Sequence, residues 1–597
     1  MKRPPAIIGA CLLAIVAAIA GWGVCIVFRP ARAPSERSGS DDGKAGEAGI
    51  AEAPCPIQLR EVSDQTGITF VHTDGSSGRH YIPETVTAGL ATLDFDGDGL
   101  IDIYFPNGAP LPGAPAGQAP HHALYRNLGR WQFQDVTELA GVACAGYGMG
   151  ATVADYDHDG FPDLYVSIFG PKVLYHNNGD GTFSDVTATA GVADGNKLGA
   201  GVCFLDIDGD GDLDLFVGNY VKFTFDSHIS FHQGPYEEYA GPKVYPPELH
   251  ALFRNNGNGT FADVSDVAGI TRHPGKGMGA VCADYDDDGD TDIFVLNDVY
   301  GNSCFQNDGT GKFREVALEL GFKYNGEGTP LGSMGVDCGD YDNDGLLDFY
   351  QTSYQTELPV LYRNLGHGIF EDVTRRSNAG QATVNNVKWG CGFIDFDNDG
   401  YRDLFVAMGH LQDLIDHYDP TTSYRTWNVL LRNQGDGRFA EVSDQCGIRQ
   451  TAAHSARGAV FDDLDNDGDI DAVVLNSRAG PTILRNILQE SGSQNRWLQI
   501  RLRGTTTNRD GVGARVWVRA GDLTLVDEVH AGRGYQSHFG SRLHFGLGPR
   551  ERVEQVKIRW IGGGVEVFSD VPVDQFVTLI EGRGLPQAAG STANRSE

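Results

Sequence analysis

Seven times the chain repeats the pattern Asp-x-Asp-x-Asp-Gly-x-x-Asp, which gathers carboxylate oxygens inside one tight turn. The first three copies hold Asp94, Asp96, Asp98 and Asp102; Asp155, Asp157, Asp159 and Asp163; and Asp206, Asp208, Asp210 and Asp214. The fourth and fifth hold Asp284, Asp286, Asp288 and Asp292, then Asp340, Asp342, Asp344 and Asp348. The last two hold Asp395, Asp397, Asp399 and Asp403, then Asp463, Asp465, Asp467 and Asp471. The glycine permits the bend, and the carbonyl after it can add an oxygen. Oxygen-only coordination in a flexible loop suits Ca2+, whereas Mg2+ demands a stricter octahedron. No thiol or imidazole ligand lies in the pattern, which argues against Zn2+. Asp-Gly turns without metal are the competing reading; seven complete copies in phase favour the metal.

Charge points the same way. Those 28 aspartates account for most of the net charge of −34, which would be −6 without them. Left bare, the carboxylates of each loop repel one another. Up to seven structural Ca2+ ions are therefore expected, in a compartment where Ca2+ is available. The acidic excess also disfavours nucleic acid as a partner. A content of 41% hydrophobic residues excludes wholesale disorder, and no Gly-X-Y period runs through the chain.

The loops need strands to hold them. A glycine lies five positions before the first aspartate in every copy (Gly89, Gly150, Gly201, Gly279, Gly335, Gly390, Gly458). Short apolar runs flank each loop, followed by Leu-Tyr-Arg-Asn or a variant, a Gly-x-Gly turn and Phe-x-Asp-Val, as in Leu174 to Val186. Each unit reads as four antiparallel strands, A to D, joined by tight turns. The seventh unit lacks its last strand, and residues 59–65 resemble it. An N-terminal strand that completes the final unit predicts an all-β, seven-bladed β-propeller over residues 55–490, closed as a monomeric ring. The acidic A–B loops then share one face. Insertions in units one, three and six, and the long first D–A segment, share the other.

After residue 495 the repeat stops. Alternating segments such as Trp497 to Leu502 and Ala514 to Val518 predict a small β-sandwich-like domain over 495–582, with 583–597 a disordered tail. The repeats resemble FG-GAP/VCBS repeats of the kind found in integrin α-chain propellers. The run NRWLQIRLRGTTTNRDGVGARVWV, followed by AGRGYQSHFGSRLHFGLG, resembles an ASPIC/UnbV domain. The pairing is similar to the cartilage acidic protein family and its bacterial relatives. That resemblance implies an extracytoplasmic calcium-binding propeller, with matrix or adhesion roles suggested for animal members. No EGF-like cysteine cluster follows here, so a matrix role transfers poorly.

Residues 1–33 read as a targeting segment. The 23 uncharged residues 6–28 could span a bilayer. A removed signal, cut near Ala31-Arg32-Ala33, and a retained membrane anchor both fit, with length favouring the anchor. Residues 34–54 form a linker. The remaining chain is expected outside the cytoplasm: periplasmic, on the cell surface or secreted.

Function is expected on the insertion-rich face. Candidate ligand-binding residues there are His80, Tyr81 and Glu84 before unit one, Asn219, Tyr220 and Tyr245 in unit three, Asn297, and His410, Tyr424 and Arg425 in unit six. The leading reading is a non-enzymatic binding or adhesion protein for a glycan or protein ligand. The alternative is a polysaccharide-lyase-like enzyme using His410, Tyr424, Arg425 and Lys243. Aromatic residues that merely pack the loops are the competing structural explanation.

Overall fold

Turn residues at short, regular intervals leave room only for short strands, and the chain pairs them locally. The computed structural model describes residues 55–115 and 120–587. The targeting segment and linker expected over 1–54 lie outside the described residues. In unit one, Ala91–Leu93, Asp102–Phe105, Ala123–Asn127 and Phe133–Asp135 form a four-stranded antiparallel sheet in sequence order. Units four, five and six repeat that order. Units two and three repeat it within one larger sheet, joined where Lys197 and Leu198 pair with Gly170 and Phe169. Unit seven takes its fourth strand from the other end of the chain, with Leu59 opposite Asn486 and Glu61 opposite Leu484.

The seven inner strands pass around a ring. Ala91–Leu93 lies against Tyr147–Ala154, and so on through Lys197–Leu205, Gly277–Ala283, Val336–Gly339, Lys388–Ile394 and Ala456–Asp462, which returns to the first. The recurring glycine sits where these strands crowd. A Cβ on Gly335 would lie 2.2 Å from the Trp389 carbonyl oxygen, and one on Gly89 would lie 1.9 Å from that of Gln536. No side chain fits there.

The second domain has two sheets. Arg496–Arg503 lies between Leu543–Gly548 and, in parallel, Gln575–Ile580. The other sheet orders Leu523–Glu528, Arg515–Ala520, Val553–Arg559, Val565–Val571 and Leu585–Gln587. The last of these corrects the expected tail: residues 585–587 pair with Val565–Val567, while 588–597 lie outside the described residues. One apolar core joins the domains, in which Leu498, Val516 and Ile558 cluster with Phe204, Leu215 and Val217 of unit three.

Residues 531–540 of the second domain enter the hub of the ring. Their backbone pairs with the inner strands, through Phe204 N–H to the Ala531 carbonyl at 2.9 Å, Val336 N–H to Gly534 at 3.0 Å and Thr92 N–H to His538 at 3.0 Å. Arg533 lies 2.5 Å from Asp337, which is fully buried on an inner strand. Tyr535 is also fully buried and donates to the Val86 carbonyl at 2.8 Å. Among the described residues, no helix is long and apolar enough to cross a membrane.

Candidate functional site

Every acidic loop has the same internal wiring. The loop glycine adopts positive φ, from 85° at Gly99 to 102° at Gly160, and donates its N–H to the first aspartate at 2.8 to 3.2 Å. The fourth aspartate accepts two backbone N–H groups. In unit one these come from Phe95, 3.1 Å from Asp102 Oδ2, and Asn127, 2.7 Å from Oδ1. The same pair of bonds recurs in the other six units.

The asparagine that ends Leu-Tyr-Arg-Asn does a second job. Its Nδ2 donates to the carbonyl just after the first aspartate of the preceding unit: Asn177 to Phe95, Asn255 to Tyr156, Asn307 to Ile207, Asn364 to Tyr285, Asn433 to Tyr341 and Asn486 to Phe396, all at 2.8 to 2.9 Å. Asn127 closes the circle by donating to Leu464 of unit seven at 2.8 Å. Each loop is therefore latched to the next unit. The arginine before the asparagine reaches back to its own loop, as Arg363 does to Asp342 at 2.6 Å and Asp344 at 2.9 Å, and Arg432 to Asp397 at 2.6 Å and Asp399 at 3.1 Å. Sequence reasoning missed these latches and counter-charges, although their fixed place in the repeat was the available signal.

The donor set fits a hard divalent cation. Three carboxylates of a loop bring oxygens within 4.8 Å of one another, as in Asp94, Asp96 and Asp102 or Asp284, Asp286 and Asp292. Each loop also holds one buried carboxylate oxygen without a hydrogen-bond partner: Oδ1 of Asp94, Asp155, Asp208, Asp286, Asp342, Asp397 and Asp465. Buried polar atoms are rarely left unpaired, because that forfeits their hydration. Burial, then neighbouring carboxylates, pushes Asp102 and Asp155 up to about 8 and Asp340 up to about 7. Without an opposing positive charge, these loops resist ionisation at neutral pH.

The second domain covers this face. Arg559 pairs with Asp284, and Arg515 lies 3.1 Å from Asp287. Arg509 lies 3.2 Å from Asp155, and Gln499 donates to Asp463 at 2.8 Å. Arg542 donates to Asn466 at 2.6 Å and to the Gly99 carbonyl at 2.7 Å.

On the opposite face the structure gathers some sequence-predicted residues and separates others. Glu84 is buried and accepts from Ser77 at 2.7 Å and the Tyr239 hydroxyl at 3.1 Å. His80 stands edge-on to the Tyr239 ring at 4.7 Å, and its Nε2 is 4.0 Å from Asp413. Arg478 ties this group together, pairing with Asp74, with Asp413 at 2.9 Å and with Tyr239 at 3.0 Å. The first D–A segment and units three, six and seven thus meet in one polar cluster.

Other candidates are structural in their contacts. Tyr81 and Tyr245 are buried and pack edge-on to Phe223. Tyr220 donates to Asp298 at 2.6 Å. Asn219 accepts from Lys172 at 3.0 Å, and Asn297 accepts from the Lys276 N–H at 2.7 Å. His410 is buried with both ring nitrogens engaged, 3.1 Å from Gln355 Oε1 and 2.9 Å from the Gln412 N–H. Burial holds it down to about 4. Tyr424 is half-buried and Arg425 exposed. Tyr424 meets His410 through a backbone bond of 3.0 Å rather than ring to ring. Sequence reasoning overlooked an open cavity of about 660 Å³ between units four and five, lined by Asn325, Glu327, Glu357, Arg375, Arg376 and Gln381 among others. No local motif marks it.

Comparison with known proteins places these features in a family. An FG-GAP-like repeat model matches residues 94–166, 169–217, 250–295, 284–351 and 395–474, and an ASPIC and UnbV model matches 504–586. Cartilage acidic protein 1 of Homo sapiens is 29% identical over 440 residues, covering 70% of this chain and 60% of that protein. The Mus musculus protein of the same name is 23% identical over 455 residues, covering 73% and 64%. The chain thus spans about three fifths of the length of these relatives. Among solved structures, a lectin from Burkholderia pseudomallei is 10% identical with a TM-score of 0.41, over 67% of this chain and 95% of that one. The repeats, their acidic loops and the appended domain together make this chain a member of the FG-GAP-like repeat family carrying an ASPIC and UnbV domain.

Proposed function

We propose that the chain is an exported binding protein whose ring is braced by up to seven Ca2+ ions and whose open face takes a glycan or protein ligand without chemical turnover. The observation that carries the calcium reading is the single buried, unpaired carboxylate oxygen in every acidic loop. The aspartates of each loop would hold the ion with the carbonyl after the glycine, the fourth among them, since its oxygens converge with those of the first and second in units one, two and four. Bound Ca2+ supplies positive charge that relieves the crowded carboxylates. At a dissociation constant of ~10⁻⁵ to 10⁻⁴ M, about 1 mM Ca2+ stabilises each loop by roughly 1.4 to 2.7 kcal/mol. Cytosolic Ca2+ is far scarcer, which supports export.

Ligand binding is assigned to the face away from the acidic loops because the second domain covers the other. Exposed apolar rings stand there in the unit-three and unit-six insertions, with Phe231 48% and Trp427 38% exposed. Such rings suit stacking on sugars or a partner's apolar side chains. His410, one of the two bases offered for a lyase, is buried with its nitrogens engaged, which leaves Tyr424 for that reading. The test is elemental analysis of the purified protein, followed by a glycan and protein-ligand screen with wild type and with Phe231→Ala and Trp427→Ala. Retained calcium and ligand retention that both variants weaken are expected. Absence of calcium, or release of unsaturated sugar products, overturns the reading.

A further inference from the structure

Two of the seven units depart from arginine at the strand-C position before the latch asparagine, and one of them places an imidazole there. The position before each latch asparagine holds Arg126, Arg254, Arg363, Arg432 and Arg485 in five units and Gln306 in unit four. Unit two has His176. An arginine carries a permanent charge and no lone pair, so it can only neutralise a loop. An imidazole can instead become a ligand. His176 Nδ1 lies 3.2 Å from Asp157 Oδ2 and 3.3 Å from Asp163 Oδ1, within ion-pair reach of both carboxylates, yet off the line of a hydrogen bond to either. Asp155 beside it is 1% exposed, and its Oδ1 likewise has no partner. Oxygens of Asp155, Asp157 and Asp163 lie within 4.8 Å of one another, as do ligand atoms of Asp157, Asp159 and His176.

Those spacings match a coordination shell. Atoms ~2.1 to 2.2 Å from one ion are about 3.0 Å apart at right angles and about 3.5 Å apart at tetrahedral angles. Aspartate oxygens alone favour Ca2+, whereas an added imidazole shifts preference toward first-row transition ions. We infer that the unit-two loop is a mixed imidazole–carboxylate site for a divalent transition cation, held by Asp155, Asp157, Asp163 and His176, while the other six loops take oxygen ligands alone. This rests on the proposal that the acidic loops hold cations, and refines it for one of them.

The probe is Zn2+ alone. Purified full-length protein, equilibrated with millimolar Ca2+ and a slight molar excess of Zn2+, is desalted and analysed for both metals. Wild type is expected to retain about one Zn2+ per chain. His176→Arg, which installs the side chain of five other units, and His176→Gln, which copies unit four, are each expected to retain roughly tenfold less or lower still. Both should melt within a few degrees of wild type in Ca2+. Wild type without Zn2+, or variants that hold as much as wild type, overturns the inference. The Ca2+ content of the same samples separates the two claims. Calcium without His176-dependent zinc sinks only this inference, whereas His176-dependent zinc without calcium upholds it and sinks the calcium reading.

Discussion

On one face of the ring the seven acidic loops are near copies, each with a glycine at positive φ, a doubly held fourth aspartate and an asparagine latch. On the other face the connections share neither length nor composition, and they meet in contacts no period would generate, such as Arg478 between Asp74, Asp413 and Tyr239. The second domain's ion pairs, such as Arg559 with Asp284, fall on the regular face; among the described residues the irregular one carries exposed rings such as Phe231. Repetition here records how the ring is held together, and irregularity records where it has room to differ.

The broadest test of that contrast is removal of cations. Chelation is expected to lower the melting temperature on the order of 10 to 15 °C, from a loss of about 10 to 19 kcal/mol summed over the loops. Calorimetry that gives identical melts in Ca2+ and in chelator would break the comparison at its root. Next in size is Arg533→Ala, which leaves Asp337 buried without its counter-charge. It should cost about 3 to 5 kcal/mol in denaturant unfolding, since breaking a buried pair strands a charge. A loss of only a few tenths would mean the hub adds little.

A latch should cost less. Asn433→Ala strips the Tyr341 and Arg402 carbonyls of their donor, expected at about 1 to 3 kcal/mol. Arg425→Ala, on the open face, should stay within about 0.5 kcal/mol of wild type and show itself only in ligand retention. An equal effect at both positions would erase the distinction between the faces.

Acidity sharpens the contrast further. Asp102 and Asp155 are pushed up to about 8 in the folded, cation-free chain, well above the ordinary carboxylate value. The folded state then binds more protons than the unfolded state, so stability is fullest in acid and falls as pH rises through about 8. Chelated protein should therefore melt higher at pH 5 than at pH 8. In Ca2+ the order should reverse, because protons compete with the ion for the same oxygens.

Much of the periodic face was legible in the sequence because each unit restates it. The spacing of the aspartates, the N-terminal strand of unit seven and the recurrent glycine each mark a local or repeated constraint. Even so, the arginine and asparagine of Leu-Tyr-Arg-Asn read as plain strand residues, since their partners lie across a sheet or in the preceding unit. The open face was legible only as excess length. Tyr220 and His410 looked like ligand contacts because aromatic and imidazole side chains in insertions often are, but long-range packing buried them. The covering domain was visible as a sequence, whereas its docking was not. Contacts such as Arg559 with Asp284 join residues far apart in the chain, with no spacing to announce them.

The hub is the feature with the widest reach. Repeat rings are natural objects for grafting, since a self-contained wheel can be cut from one polypeptide and spliced into another. This wheel turns on an axle that belongs to its neighbour. Shortening the gene before residues 531–540 would empty the centre and bare inner-strand amides such as those of Thr92, Phe204 and Val336. Ring and appendage are thus expected to fold and to melt as a single piece.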